Sequence, residues 1–181
     1  MVFPAAILSA AEAARQARPA RCPLGGHNLH MRVSAKADYA VRAAIELASR
    51  DAPIVKGEDI SQAQEIPLNF LENILSELKH AGIVESRRGP EGGYRLARPA
   101  DAVTIADVIR AVEGPLASVR GERPEAVGYS GSAEPLARVW IALRANLRAV
   151  LESVTLEDVV RERLPASVAE LASDPEAWVR R

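Results

Sequence analysis

Arginines crowd a short glycine-rich stretch in the middle of the chain. Four of them lie within twelve residues, at Arg87, Arg88, Arg95 and Arg98. The first two stand beside the turn formed by residues 88–93, so they would sit at the tip of a hairpin. Guanidinium groups at a mobile tip suit the minor groove of DNA, where the negative potential is strong. The stretch therefore predicts contacts to nucleic acid, although a solvated hairpin could carry the same arginines.

A helix before this hairpin supplies a second set of polar side chains. An apolar stripe at helical spacing runs through Leu71, Ile74, Leu75 and Leu78. The other face then carries the short polar residues Asn69, Glu72, Asn73 and Ser76. Asparagine can pair with adenine, and glutamate can accept a hydrogen bond from cytosine, so this face suits base recognition. A solvated helix face would look the same, and the arginine-rich hairpin that follows favours DNA.

Three helices and two strands must position these residues. The patterns predict a first helix over 34–49 with Ser34 as its N-cap, and a second over 58–64. A third helix is predicted over 67–81, followed by strands over 83–87 and 94–97. Helix, turn, helix and hairpin in this order are typical of a winged helix-turn-helix. The predicted fold is mainly α-helical, with a short β-hairpin as the wing.

A long helix with a regular apolar seam follows the wing. Capping boxes at Thr104–Asp107 and Thr155–Asp158 predict a helix start on each side of it. The seam has the spacing of a coiled coil and consists of Leu136, Trp140, Leu143, Leu147, Val150 and Val154. The long helix is predicted from Pro135 to near Val154. The seam predicts a homodimer interface, and packing on the chain's own domain is the alternative.

Three segments of the chain resemble a known family. Residues 31–41 (MRVSAKADYAV), 66–72 (IPLNFLE) and 88–94 (RGPEGGY) resemble the opening, the recognition helix and the wing of the bacterial IscR/NsrR/CymR regulators. These regulators are also called the Rrf-two family. The resemblance extends over about 31–164 and implies a dimeric winged-helix DNA-binding protein that is commonly a repressor.

The resemblance extends the set of residues that we expect to contact DNA. That set is Lys36, Tyr39, Asn69, Phe70, Glu72, Asn73, Ser76, Arg87, Arg88, Gly89, Gly92 and Gly93. It suggests Asn69, Glu72 and Asn73 for contacts to bases, and Arg88 for the minor groove. Because a two-fold protein recognises a two-fold site, the predicted operator is an inverted repeat of double-stranded DNA.

Many members of this family bind an iron–sulfur cluster through cysteines in the loop before the dimerisation helix. The corresponding loop here, 114–133, has neither cysteine nor histidine, and the chain's one cysteine is Cys22. Because cluster irons need thiolate ligands, we expect no cluster, no metal and no other cofactor. Arg120, Arg123 and Tyr129 could line a site for an unknown small-molecule or protein effector, or could simply face solvent.

Composition limits the remaining alternatives. Aromatic residues make up only 4% of the chain, so the core must be aliphatic. The net charge is −1, so charge alone does not indicate a DNA-binding protein. No apolar run is long enough for a membrane span, and a single cysteine fits a reducing compartment, so we expect a cytoplasmic protein with no membrane partner. No P-loop, nucleophile elbow or dinucleotide motif indicates an enzyme. A winged-helix module that contacts protein and not DNA remains the alternative function.

The predicted organisation has four parts. Residues 1–30 form a flexible N-terminal extension, and 31–100 form the winged helix-turn-helix domain. Residues 101–164 supply a linker helix, a sensor-type loop and the dimerisation helix. The tail, 165–181, carries one short helix.

Overall fold

A computed structural model describes residues 33–50 and 52–179 of the chain. The predicted N-terminal extension and Cys22 lie outside these residues. The helices and strands are α1 (Ala35–Ser49), α2 (Gly57–Gln64), α3 (Leu68–His80), β1 (Val84–Arg87), β2 (Gly93–Leu96), α4 (Ile105–Glu113), α5 (Leu136–Leu151), α6 (Leu156–Val160) and α7 (Ala166–Ser173). The mainly helical fold with a two-stranded hairpin confirms the predicted class.

Helix α1 lies at the centre of the fold because its inner face is built from small residues. Ala40, Ala43 and Ala44 are fully buried, and the absence of longer side chains there lets α3, α4 and α6 pack against α1. Ser34 caps the helix as predicted, since its hydroxyl accepts a hydrogen bond from the backbone N–H of Ala37 at 3.0 Å. The central position of α1 makes it the common support for the elements on either side.

A tight turn joins α2 to α3. Glu65 adopts a left-handed conformation with φ 52°, which ends α2. Ile66 then enters the core, and its N–H donates to the Ser61 carbonyl at 3.0 Å. Pro67 is the N-cap of α3, one position before its predicted place inside the helix. All four residues of the predicted apolar stripe, Leu71, Ile74, Leu75 and Leu78, are buried. Their burial fixes the rotation of α3 about its own axis.

The wing is an antiparallel hairpin attached to the rest of the domain at Val55. Strands β1 and β2 pair in a register that places Arg87 opposite Gly93. Val55 and Tyr94 exchange two backbone hydrogen bonds, of 2.9 and 2.8 Å. A Cβ on Gly93 would lie 2.4 Å from the Val55 carbonyl oxygen, and a Cβ on Gly92 would lie 2.5 Å from the carbonyl oxygen of Arg87. Both glycines are therefore required by close backbone approaches where the turn of the wing enters β2.

Helices α4 and α6 begin side by side. Both predicted capping boxes are present, at Thr104–Asp107 and Thr155–Asp158. The N–H of Ile105 donates to the Val154 carbonyl, and the N–H of Leu156 donates to the Val103 carbonyl, each at 2.9 Å. The starts of α4 and α6 are therefore held at neighbouring points of the core, and the loop and α5 lie between the end of α4 and the start of α6.

Helix α5 is the least covered of the long helices. None of its residues is buried, although Leu136, Trp140, Leu143 and Val150 are partly covered by the chain itself. Val139 and Leu147 are exposed by 55% and 38%. The helix ends at Leu151, earlier than predicted. Val154 lies beyond it and is buried in the chain's own core because its backbone pairs with Ile105, so we remove Val154 from the proposed seam.

The C-terminal residues form the short helix that the sequence predicts. Helix α7 lies within the predicted tail; Leu171 in this helix and Trp178 after it are exposed by 61% and 78%. Among the described residues, no helix is both long enough and apolar enough to span a lipid bilayer.

Candidate nucleic-acid interface

The outward face of α3 carries the predicted base-reading residues. Burial of the leucine stripe turns the opposite side of the helix to solvent, and the exposed residues there are Asn69, Phe70, Glu72, Asn73 and Ser76. The Asn73 amide donates to the Asn69 carbonyl at 3.0 Å, an exposed contact within the helix. Phe70 is 64% exposed, although phenylalanine side chains are usually buried. This face offers donors, an acceptor and one apolar surface.

The wing carries guanidinium groups that no carboxylate neutralises. Arg87 and Arg88 are exposed, and neither forms an ion pair with any residue in the described part of the chain. Arg95 differs, because its guanidinium pairs with the Glu85 carboxylate at 2.7 Å across the hairpin. The uncompensated positive charge therefore lies at the turn, and the middle of the hairpin is locally neutral.

A further cation beside the wing was not predicted from the sequence. Lys56 is the N-cap residue of α2 and is exposed, and it lines the same cleft as Arg87, beside the hairpin turn. It forms no ion pair with another described residue. No motif marks Lys56 in the sequence, because its position beside the wing depends on the pairing of Val55 with Tyr94.

Two predicted contact residues of α1 have partners within the chain. The Lys36 ammonium pairs with the Glu77 carboxylate at 2.7 Å and donates to the Val112 carbonyl at 2.8 Å. These bonds tie α1 to α3 and α4, while the Lys36 side chain stays 43% exposed, so its contact with DNA stays a prediction. Tyr39 is partly buried against the core, and the Arg42 guanidinium lies 5.8 Å from the centre of its ring.

The predicted wing glycines have conformational roles. Gly92 and Gly93 are only partly exposed, and both are required by the close backbone approaches where the turn enters β2. Gly89 is exposed at the turn with φ 109°, a conformation that favours glycine. These glycines shape the turn that presents Arg88.

Comparison with known proteins places this interface in a family. Residues 33–162 match the family described as "Rrf2: Iron-dependent Transcriptional regulator". The chain belongs to the Rrf2 family of transcriptional regulators. The candidate HTH-type transcriptional regulator Rv1287 of Mycobacterium tuberculosis is 51% identical over 145 residues, covering 80% of this chain and 90% of that protein. The HTH-type transcriptional regulator CymR of Bacillus subtilis is 37% identical over 132 residues, covering 71% of this chain and 89% of the relative.

Solved structures of this family show the same fold. The structure of CymR, described as the global cysteine regulator of B. subtilis, matches with a TM-score of 0.62 and 34% identity, over 74% of this chain and 98% of that one. The IscR of T. potens matches with a TM-score of 0.59 and 27% identity, over 83% of this chain and 93% of that one. The Rrf2 resemblance predicted from three short segments is confirmed, and the α3–wing surface is the candidate interface with DNA.

Charged residues connect α4, the loop that follows it, and α5 in this Rrf2 protein. The Glu152 carboxylate, just after α5, pairs with Arg148 at 2.9 Å and also with Arg110 of α4. Hydrogen bonds from Arg148 and then Arg110 lower the pKa of Glu152 below its ordinary value. Within the loop, the Arg120 guanidinium lies 5.8 Å from the centre of the Tyr129 ring. Two of the three residues predicted to line an effector site, Arg120 and Tyr129, are thus packed on each other.

Proposed function

We propose that this Rrf2 protein is a repressor that binds an inverted-repeat operator as a homodimer, without an iron–sulfur cluster. One observation carries the proposal: an exposed polar face on α3 stands beside a wing turn whose arginines have no carboxylate partner among the described residues. A helix that enters the major groove and a wing that reaches the adjacent minor groove need this combination.

The α3 face is proposed to identify bases by direct contact. Asn69 and Asn73 carry amides that can pair with adenine, and the Glu72 carboxylate can accept a hydrogen bond from the amino group of cytosine. Phe70 can contact the methyl group of thymine, which accounts for an exposed aromatic ring at the start of the helix. The Asn73 amide must release the Asn69 carbonyl to reach a base, and that exposed bond contributes little to stability.

The wing and the start of α2 are proposed to hold the DNA backbone. Arg88 would enter the minor groove, and Arg87 and Lys56, which line one cleft beside the wing, would contact phosphates. Each such contact releases counterions from DNA, so it strengthens binding to all sequences and makes binding sensitive to salt. Affinity and specificity are therefore expected to come from different residues.

Helix α5 is proposed to form the dimer interface. Its seam residues Leu136, Trp140, Leu143, Leu147 and Val150 are at most partly covered by the chain itself, and Val139 beside them is 55% exposed. Exposed apolar residues aligned along a 16-residue helix are stabilised when a second copy covers them. A dimer formed along α5 would relate two α3–wing surfaces by a two-fold axis, as an inverted repeat requires.

The proposed lack of a cluster rests on the ligands that the chain can offer. The family description names iron, but residues 114–133 contain neither cysteine nor histidine. In the described part of the chain, no three His, Cys, Asp or Glu residues lie close enough to hold a metal ion. Because iron–sulfur clusters are bound mainly through thiolates, the residues of this loop do not fit one.

Selection from random double-stranded DNA followed by footprinting tests the proposed function. We expect an enriched inverted repeat whose half-sites are about one helical turn apart, or a multiple of it. Sedimentation should show a dimer, and binding should weaken steeply as salt increases. Failure to enrich any sequence, or binding without salt dependence, would refute the proposal and favour a module that contacts protein. Iron in the purified protein at one equivalent or more would refute the absence of a cluster.

A further inference from the structure

Arginines from three different elements line a cleft beside the loop that precedes α5. The guanidinium-bearing residues are Arg110 on α4, Arg123 in the loop, and Arg144 and Arg148 on α5. One carboxylate, that of Glu125, lines the cleft with them. The cleft has a volume of about 260 Å³. Four cations converging from separate parts of the sequence on so small a space need negative partners.

The chain supplies only some of those partners. Glu125 pairs with Arg144 at 2.6 Å, and Glu152 serves both Arg110 and Arg148. Arg110 also lies 4.0 Å from Asp107, whose carboxylate is already engaged in the capping box of α4. Arg123 forms no ion pair with any residue that the structure describes. The cleft therefore keeps positive charge that its own carboxylates do not match.

Glu125 shows which chemistry the cleft accepts. It lies on a turn of 3₁₀ helix, Pro124–Ala126, that is anchored by the buried Pro124, and its carboxylate reaches into the cleft to Arg144, whose side chain is only 22% exposed. A backbone hydrogen bond and the bond from Arg144 lower the pKa of Glu125, so the group is an anion near neutral pH. An oxyanion of a ligand could join or replace this carboxylate, since arginine binds carboxylates and phosphates in the same forked geometry.

We propose that this cleft binds a small polyanion through carboxylate or phosphate groups, and that its occupancy regulates the affinity of the protein for DNA. The volume is slightly below the range of roughly 300–1,000 Å³ for sites of drug-sized ligands, which favours a compact metabolite. The regulatory half rests on the proposed function. A ligand held by Arg110, Arg123 and Arg144 would connect α4, which packs on α1 of the DNA-binding core, with the loop and the proposed dimer helix.

Calorimetric titration of the full chain, without DNA, tests the binding half. The probes are pyrophosphate and citrate, with sodium chloride at matched ionic strength as the reference. Arg123→Gln removes the unpaired guanidinium, and Arg120→Gln removes an equal charge from the same loop outside the cleft. We expect at least one probe to bind with a dissociation constant of a millimolar or less. Arg123→Gln should weaken that binding about tenfold, as expected for one charge-assisted hydrogen bond, and Arg120→Gln should not.

The two probes distinguish phosphate from carboxylate recognition, because the group that binds more tightly identifies the ligand's chemistry. Absence of binding by both probes, or equal weakening by the two substitutions, would overturn the proposal. Arg123 is exposed, so its variant should fold, and an unchanged melting temperature verifies this.

For regulation, the bound probe should change operator affinity at least threefold in the wild type and not in Arg123→Gln. Binding without that change would overturn the regulatory half, whereas absence of DNA binding in every sample would count against the proposed function alone.

Discussion

Loss of a single wing arginine should flatten the salt dependence of DNA binding by a calculable amount. Arg88 is exposed and has no ion-pair partner in the described part of the chain, so its whole charge is available to DNA. Each phosphate neutralised on duplex DNA contributes about 0.9 to the slope of log affinity against log salt. For Arg88→Ala we therefore expect the slope to fall by ~0.9 per half-site. When salt rises from about 50 to 200 mM, the affinity of both proteins for DNA falls. The factor by which it falls should be about 3.5 times smaller, per half-site, for the variant than for the wild type.

Arg95→Ala is the matched control, because it removes an arginine from the same hairpin. Its guanidinium is already paired with Glu85 at 2.7 Å, so little counterion release is expected from it. Fluorescence anisotropy should be measured on the operator and on random DNA across a salt series. Arg88→Ala should weaken both, since the contact carries no base information. A larger slope change for Arg95→Ala, or an Arg88→Ala effect confined to one base preference, would refute the assignment of the wing.

Three further changes test the other parts of the structure. Glu72→Ala should relax preference at one base pair in each half-site by about 1–3 kcal/mol, measured on single-base operator variants, and equal weakening on random DNA would argue against base contact. Leu147→Glu should dissociate the dimer in sedimentation because a charge would enter an apolar seam, whereas Ala145→Glu on the exposed side of α5 should not. Arg148 holds the pKa of Glu152 below its ordinary value, so the stabilisation from this carboxylate is present near neutral pH and is lost as the pH falls through the lowered pKa. Between neutral and acidic pH, the melting temperature of Glu152→Gln should therefore fall less than that of the wild type.

Local rules made much of this fold predictable. The capping boxes at Thr104 and Thr155 and the buried stripe of α3 depend on residues within a few positions of each other. The exposed face of α3 followed from that stripe, because burial of one side of a helix determines the other. The family followed from the order of three short segments.

The differences arose where a partner lies far away in the sequence. Lys36 bonds to a carbonyl 76 positions away, and no local pattern predicts that it is engaged. Val154 extends the seam in the sequence, but its pairing with Ile105 draws it into the core. Lys56 joins the DNA-facing surface only because the neighbouring Val55 pairs with the wing. Tertiary contacts override local spacing in each case.

The paired starts of α4 and α6 have a consequence for sequence change in the loop that precedes α5. Because Ile105 bonds to Val154 and Leu156 bonds to Val103, the starts of the two helices are held together on the core, and the loop and α5 lie between the end of α4 and this junction. Insertions or deletions in the loop leave the register of these paired starts unchanged. Their entropic cost is small, since doubling the length of a flexible loop costs only about 0.6 kcal/mol. The loop can therefore vary in length and in side-chain chemistry while the core that supports α3 and the wing is retained.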